Sequence, residues 1–292
     1  MQELLRAQRH RLARLARPLL RRRLVMELRQ AWADFGASGG TIVAAGLAYR
    51  TMFATLTLLV FAAGLAGIVI SDPARRVDVI NALVTVLPGP LHESLTASVD
   101  ALGREGLTVG LVGLVGLVWG ASSMYEALDQ ATSMILPGGR RRGGFDRRVR
   151  GLVAVAALTV VVGAFLTLTP LVAAGFVDVG GGVLLATVIE PLGAIVAFVA
   201  LVYAGYRFVP SAPPTARDAL PPAVVAGTAM SILTTFFAVL APFLVNRMQA
   251  FGVVASFLAA LVWLNLLAVC FLVGGAWARA RRDDRRGSAA DG

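Results

Sequence analysis

The chain has 292 residues, of which 57% are hydrophobic, and its formal net charge of +10 comes entirely from arginine, with 27 Arg and no Lys. A mean hydropathy of +0.76 excludes an ordinary soluble domain. The basic excess is not a nucleic-acid footprint either, because no aromatic platform is interleaved with the arginines.

In chain order, the first segment is a basic arm, residues 1–40. Leu5, Leu12, Leu15 and Leu19 share one helical face with arginines elsewhere, which predicts an amphipathic helix on the membrane surface. Apolar runs follow at 41–70, 107–136, 152–176, 183–208, 219–245 and 252–277. Each supplies the roughly 20 apolar residues that cross about 30 Å of hydrocarbon. Residues 72–104, between the first two runs, carry Leu91, Leu95, Val99 and Leu102 at helical spacing, with a Leu-Pro-Gly-Pro break before them. They are expected to form short external amphipathic helices. The last segment, 279–292, is charged and rich in small residues, and is expected to be a disordered tail.

The arginines orient the chain. Nine precede residue 30, six lie at 140–150, five at 279–286, and Arg207 and Arg217 flank the connection after the fourth run. Only Arg75, Arg76, Arg104 and Arg247 fall in the alternate connections. The positive-inside rule therefore predicts an all-α, six-span bundle with both termini in the cytoplasm. Its domains are the arm (1–40), the membrane domain (41–278) and the tail. Anionic headgroups of the cytoplasmic leaflet are the expected partners of the arginines, with no nucleic acid.

The second run is the most patterned. Gly106, Gly110, Gly113, Gly116 and Gly120 fall within an arc of about 120° at ~100° per residue. Such a face lets another helix approach closely. A contact inside the chain is expected ahead of a seam between two copies. Ser122, Glu126, Asp129, Gln130 and Ser133 form a polar stripe on the opposite side.

Arg50, in the first run, stands at a similar depth, and is expected to pair with Glu126 or Asp129. Arg50, Tyr49, Ser122, Glu126, Asp129 and Gln130 are thus the candidate substrate-binding set of a cytoplasm-facing polar cavity. The alternative for the charged members is a structural ion pair near the interface. Mid-span Asn265 is expected to hydrogen-bond across helices.

Enzyme chemistry has little to work with. His10 and His92 are the only histidines and fall in different compartments, Cys270 is the only cysteine, and no nucleophile or phosphate-loop motif is present. No catalytic residue, metal or cofactor is expected.

Several motifs taken together resemble a known family. They are Ala-Gly-Leu-Ala-Tyr-Arg (45–50), Leu-Val-Trp-Gly-Ala-Ser-Ser (117–123) followed by Glu126-Ala-Leu-Asp-Gln-Ala, Phe-Val-Pro (208–210) and Arg217-Asp-Ala-Leu-Pro. Phe251-Gly, Val-Trp-Leu (262–264) and Leu-Val-Gly-Gly-Ala (272–276) continue the series. In order and spacing they resemble the YihY/BrkB family of bacterial inner-membrane proteins, over residues ~30–278. The chain departs from the family's usual residues at Ala54, Thr57, Pro222 and Trp277, the last standing where Glu is common. The resemblance implies six spans, an external insertion and a role in transport of lipid or envelope components. The ribonuclease BN label once attached to the family has no supporting residues here. A non-transporting envelope scaffold, binding a second copy or another envelope protein, is the alternative function.

Overall fold

The computed structural model describes residues 25–69, 106–136, 190–210, 213–247 and 252–290. Those residues form α1 (25–37), α2 (Gly40–Val69), α3 (Gly106–Ile135), α4 (Glu190–Phe208), α5 (Ala216–Arg247) and α6 (Gly252–Ala290), with no strand among the described residues. Five of these helices are long and apolar enough to cross a bilayer. The run at 152–176, the insertion at 72–104, the arginine loop at 140–150 and the leucine face before residue 24 lie outside the described residues.

Local chemistry sets the helix ends. Gly39 closes α1 in the left-handed region, at φ 67°. Its N–H donates to the Gly36 carbonyl at 3.1 Å, and its own carbonyl accepts from Ile42 and Val43 at 3.0 and 3.3 Å to start α2. Gly40 is needed for a second reason, because a Cβ there would overlap the Phe35 ring folded over the turn.

At α5, Thr215 acts as the N-cap: its carbonyl accepts from the Asp218 and Ala219 N–H groups, both at 3.0 Å. Its hydroxyl donates to Asp218 Oδ2 at 2.6 Å. Asp218, only 1% exposed, sits where the positive end of the helix dipole favours a carboxylate.

α2 and α3 pack side by side, and α6 touches α2, α3 and α5, while α4 lies on α5. The interfaces are built from small side chains, as expected where lipid provides no hydrophobic drive between helices. One cluster joins Ala31 and Phe35 of α1, Ala44 and Leu47 of α2, Ala127, Ala131 and Ile135 of α3, and Leu272, Ala276 and Trp277 of α6.

On the other flank of α6, Trp263 Nε1 donates to Thr234 Oγ1 of α5 at 3.3 Å and its ring stacks on Phe237. The Tyr206 hydroxyl of α4 donates to the Phe271 carbonyl of α6 at 2.5 Å. The outer surface stays apolar, with Ile42, Val115, Ile232 and Val239 exposed, a pattern that suits lipid contact.

Two expectations change. Asn265 makes no hydrogen bond across helices: its Oδ1 is buried with no hydrogen-bond partner among the described residues. The tail expected to be disordered is helical as far as Ala290, so α6 runs for 39 residues. At ~1.5 Å per residue that is about 58 Å, well beyond the hydrocarbon thickness. Ion pairs hold the projecting part: Arg279 to Asp283 at 3.5 Å within the helix, Arg281 to Glu27 of α1 at 3.3 Å, and Arg285 to Asp218 of α5 at 2.8 Å. Composition alone does not contain the last two.

Candidate functional site

The glycine face of α3 is occupied by α2. A Cβ on Gly113 would lie 2.5 Å from Phe61 Cα, one on Gly116 would lie 3.1 Å from Thr57 Cγ2, and one on Gly120 would lie 3.1 Å from Ala54 Cα. The two helices are antiparallel, and each step inward along α2 is matched by a step of similar length along α3. Continuing the register from Ala54 opposite Gly120 brings Arg50 to Ser123, and Arg50 Nη1 donates to the Ser123 carbonyl at 3.1 Å. Gly106 and Gly110 belong to the first turns of α3.

The expected partner of Arg50 is therefore corrected. Among the described residues neither Glu126 nor Asp129 forms an ion pair with Arg50, which donates instead to a backbone carbonyl. The cause is geometric. α2 lies along the glycine face of α3, and the polar stripe lies on the other side of the same helix. A side chain leaving α2 toward α3 meets the edge of the glycine face first, at Ser123.

The stripe itself is divided. Ser122 and Asp129 are buried, and the Ser122 hydroxyl donates to the Val118 carbonyl at 2.6 Å within its own helix. Glu126 is half-buried, and Gln130 and Ser133 are exposed. Tyr49 is 63% exposed, on the outer surface of the bundle. Arg50, Ser123 and Glu126 are thus neighbours along one edge of the α2–α3 pair, whereas Ser122 and Asp129 are turned inward.

Two residues outside the candidate binding set belong to this edge. Phe53 and Trp119 meet edge-on, with ring centroids 5.6 Å apart, just beyond Arg50 and Ser123 along the helices. Helical spacing carried the signal: Phe53 is three residues from Arg50, and Trp119 is four from Ser123.

A model of the family described as virulence factor BrkB matches residues 31–291. The chain belongs to the BrkB family. The match takes in every described membrane helix and the helical extension of α6, so the extension is part of the BrkB domain. In the same comparisons no curated protein and no solved structure matches the chain. With five helices able to span a bilayer, this BrkB-family chain is an integral membrane protein. Among its described residues no three His, Cys, Asp or Glu side chains gather as a metal ion requires.

A second polar cluster lies where α1 meets α6. Trp277 Nε1 donates to Glu27 Oε2 at 2.7 Å, and the same oxygen accepts from Arg281 Nη1 at 3.3 Å. The Arg281 guanidinium lies 5.8 Å from the centroid of the Trp277 ring, within cation–π range. In this BrkB chain the cluster fastens helices separated by some 250 positions of sequence. Sequence offered one clue, an acidic Glu27 inside an arm otherwise dominated by arginine.

Proposed function

We propose that this protein is a six-span protein of the bacterial cytoplasmic membrane, with both termini in the cytoplasm, that moves a lipid or envelope component bearing an anionic group. Arg50 is the anion contact. The observation that carries this reading is the state of its side chain. It stands ten residues into the span Gly40–Phe61, holds one backbone carbonyl, and has no carboxylate in ion-pair range among the described residues.

A permanently charged group at such depth costs a few kcal/mol or more, so a guanidinium without an ionic partner favours an anion beside it. Its planar fork suits a phosphate or carboxylate bound through two hydrogen bonds. The arginine distribution, with 22 in the arm, the tail and two alternate connections, four in the other connections and Arg50 within a run, supports the orientation.

The test is lipid movement in liposomes carrying the purified full chain, read by chemical quenching of a fluorescent phospholipid in the outer leaflet. The wild type is expected to accelerate movement over protein-free liposomes, Arg50→Ala to slow it by roughly tenfold or more, and Arg50→Lys to fall between. Wild-type rates in Arg50→Ala would remove Arg50 from the mechanism. No acceleration by the wild type would leave the non-transporting scaffold.

A further inference from the structure

The surroundings of Arg50 specify more than an anion. On α2, Tyr49 points outward and a Cβ on Gly46 would meet nothing within 4 Å, so the flank beside Arg50 is open. On α3, Trp119 is 69% exposed, Gln130 is exposed, and Ser123 and Glu126 are half-buried. These residues share one edge of the α2–α3 pair, a furrow between the two helices that in the proposed placement faces lipid. Glu126 has no ion pair among the described residues, although it lies only three positions from the residue that holds Arg50.

We infer that this furrow binds the headgroup of an amine-bearing zwitterionic phospholipid, with the phosphate on Arg50, the ammonium on Glu126, and the glycerol and upper acyl chains against Phe53 and Trp119. The inference rests on the proposed placement of Arg50 inside the bilayer with its N-terminal side cytoplasmic, and adds a headgroup to that reading.

The order of the groups is the main argument. From the cytoplasmic end inward, the furrow presents Gln130 and Glu126, then Arg50 held on Ser123, then the aromatic pair. A phospholipid of the inner leaflet presents its parts in the same order: amine, phosphate, glycerol, chains. Glu126 is three residues from Ser123, about 4.5 Å of helical rise, a separation that the two methylenes of an ethanolamine bridge.

An anionic lipid without an amine, such as phosphatidylglycerol, would satisfy Arg50 through its phosphate and leave the Glu126 carboxylate facing uncharged hydroxyls, with no cation to pair it. The furrow therefore discriminates by charge pattern as well as by attraction. The Trp119 indole supplies the amphipathic surface suited to the headgroup boundary, and the Phe53 ring adds apolar area beside it.

The experiment is lipid retention by the purified full chain. Protein is equilibrated in nanodiscs of equimolar phosphatidylethanolamine and phosphatidylglycerol, released into the gas phase, and its bound lipids weighed. The wild type is expected to retain phosphatidylethanolamine over phosphatidylglycerol by roughly fivefold, Glu126→Gln to bring the ratio near one, and Arg50→Ala to reduce retention of both. Unchanged thermal unfolding of Glu126→Gln shows that the ratio reports the headgroup and not the fold. Equal retention by the wild type, or a preference that survives in Glu126→Gln, overturns the inference. Because retention is read without movement, a selective furrow in a protein that moves no lipid would overturn the translocation reading and not the headgroup.

Discussion

Replacing Gly113 with alanine is expected to lower the thermal unfolding midpoint by roughly 3–10 °C, and replacing it with leucine to prevent accumulation of folded protein. A Cβ at this position would sit 2.5 Å from Phe61 Cα and 2.6 Å from Phe61 N, so the obstructing atoms are backbone and have no rotamer to move to. Relief requires α2 and α3 to separate along their length, and overpacking of this kind costs about 1–3 kcal/mol for a single methyl group.

Gly46→Ala is the internal comparison. It lies in the same bundle, on α2, and an added methyl meets no atom within 4 Å. There the change is expected to be neutral or to stabilise by up to about 1 kcal/mol, through the better helix propensity of alanine. Unfolding in detergent followed by tryptophan fluorescence reads both variants. Equal effects at the two positions would mean that glycine content, and not the seam, sets the stability.

That seam shows what could be read ahead of the structure. The spacing of Gly113, Gly116 and Gly120 identifies a close-approach face from rotation per residue alone, and the apolar runs give the spans from length and composition. Neither says which helix fills the face. Arg50 illustrates the consequence. Position along the span sets it at a depth similar to Glu126 and Asp129, but depth fixes only one of the two coordinates that a contact requires. The other, the azimuth of α3 relative to α2, is fixed by the glycines, and it turns Arg50 onto the Ser123 carbonyl. Tyr49 follows the same logic: next to Arg50 in depth, it lies on the outer surface, as does Gln130 two turns further along α3.

The α6 extension was illegible for a different reason. Residues 279–290 have the composition of a solvated tail, and their order depends on partners far away in the sequence. Arg281 finds Glu27, and Arg285 finds Asp218. Asp218 is itself held by the Thr215 cap, so the start of α5 presents a fixed carboxylate to the end of α6. No local pattern reports an ion pair of this kind. The Thr-x-x-Asp spacing at 215–218 does announce a helix start, which is the part of the arrangement that is local.

The largest loss of stability is expected from Trp277→Ala, at about 3–5 kcal/mol for truncating a fully buried tryptophan. Trp277 is 1% exposed and sits in the cluster shared by α1, α2, α3 and α6, so the cavity would open where four helices meet. Trp277→Phe separates packing from polarity. Most of the ring remains, while Glu27 Oε2 loses the 2.7 Å indole donor and keeps Arg281 at 3.3 Å. Loss of one hydrogen bond to a carboxylate is worth about 1.5–3 kcal/mol, so the phenylalanine variant should unfold between the wild type and alanine.

Hydrogen exchange gives the sharper reading. If the indole–carboxylate bond fastens α1, residues 25–37 should exchange faster in Trp277→Phe, with α4 and α5 unchanged. Uniform acceleration across all helices would assign Trp277 to the core alone. The same measurement on Glu27→Gln, which keeps an acceptor and removes the charge facing Arg281, should release α1 to a smaller extent. That ordering follows from which bond persists: a neutral amide oxygen still accepts from the indole, whereas phenylalanine offers Glu27 no donor at all.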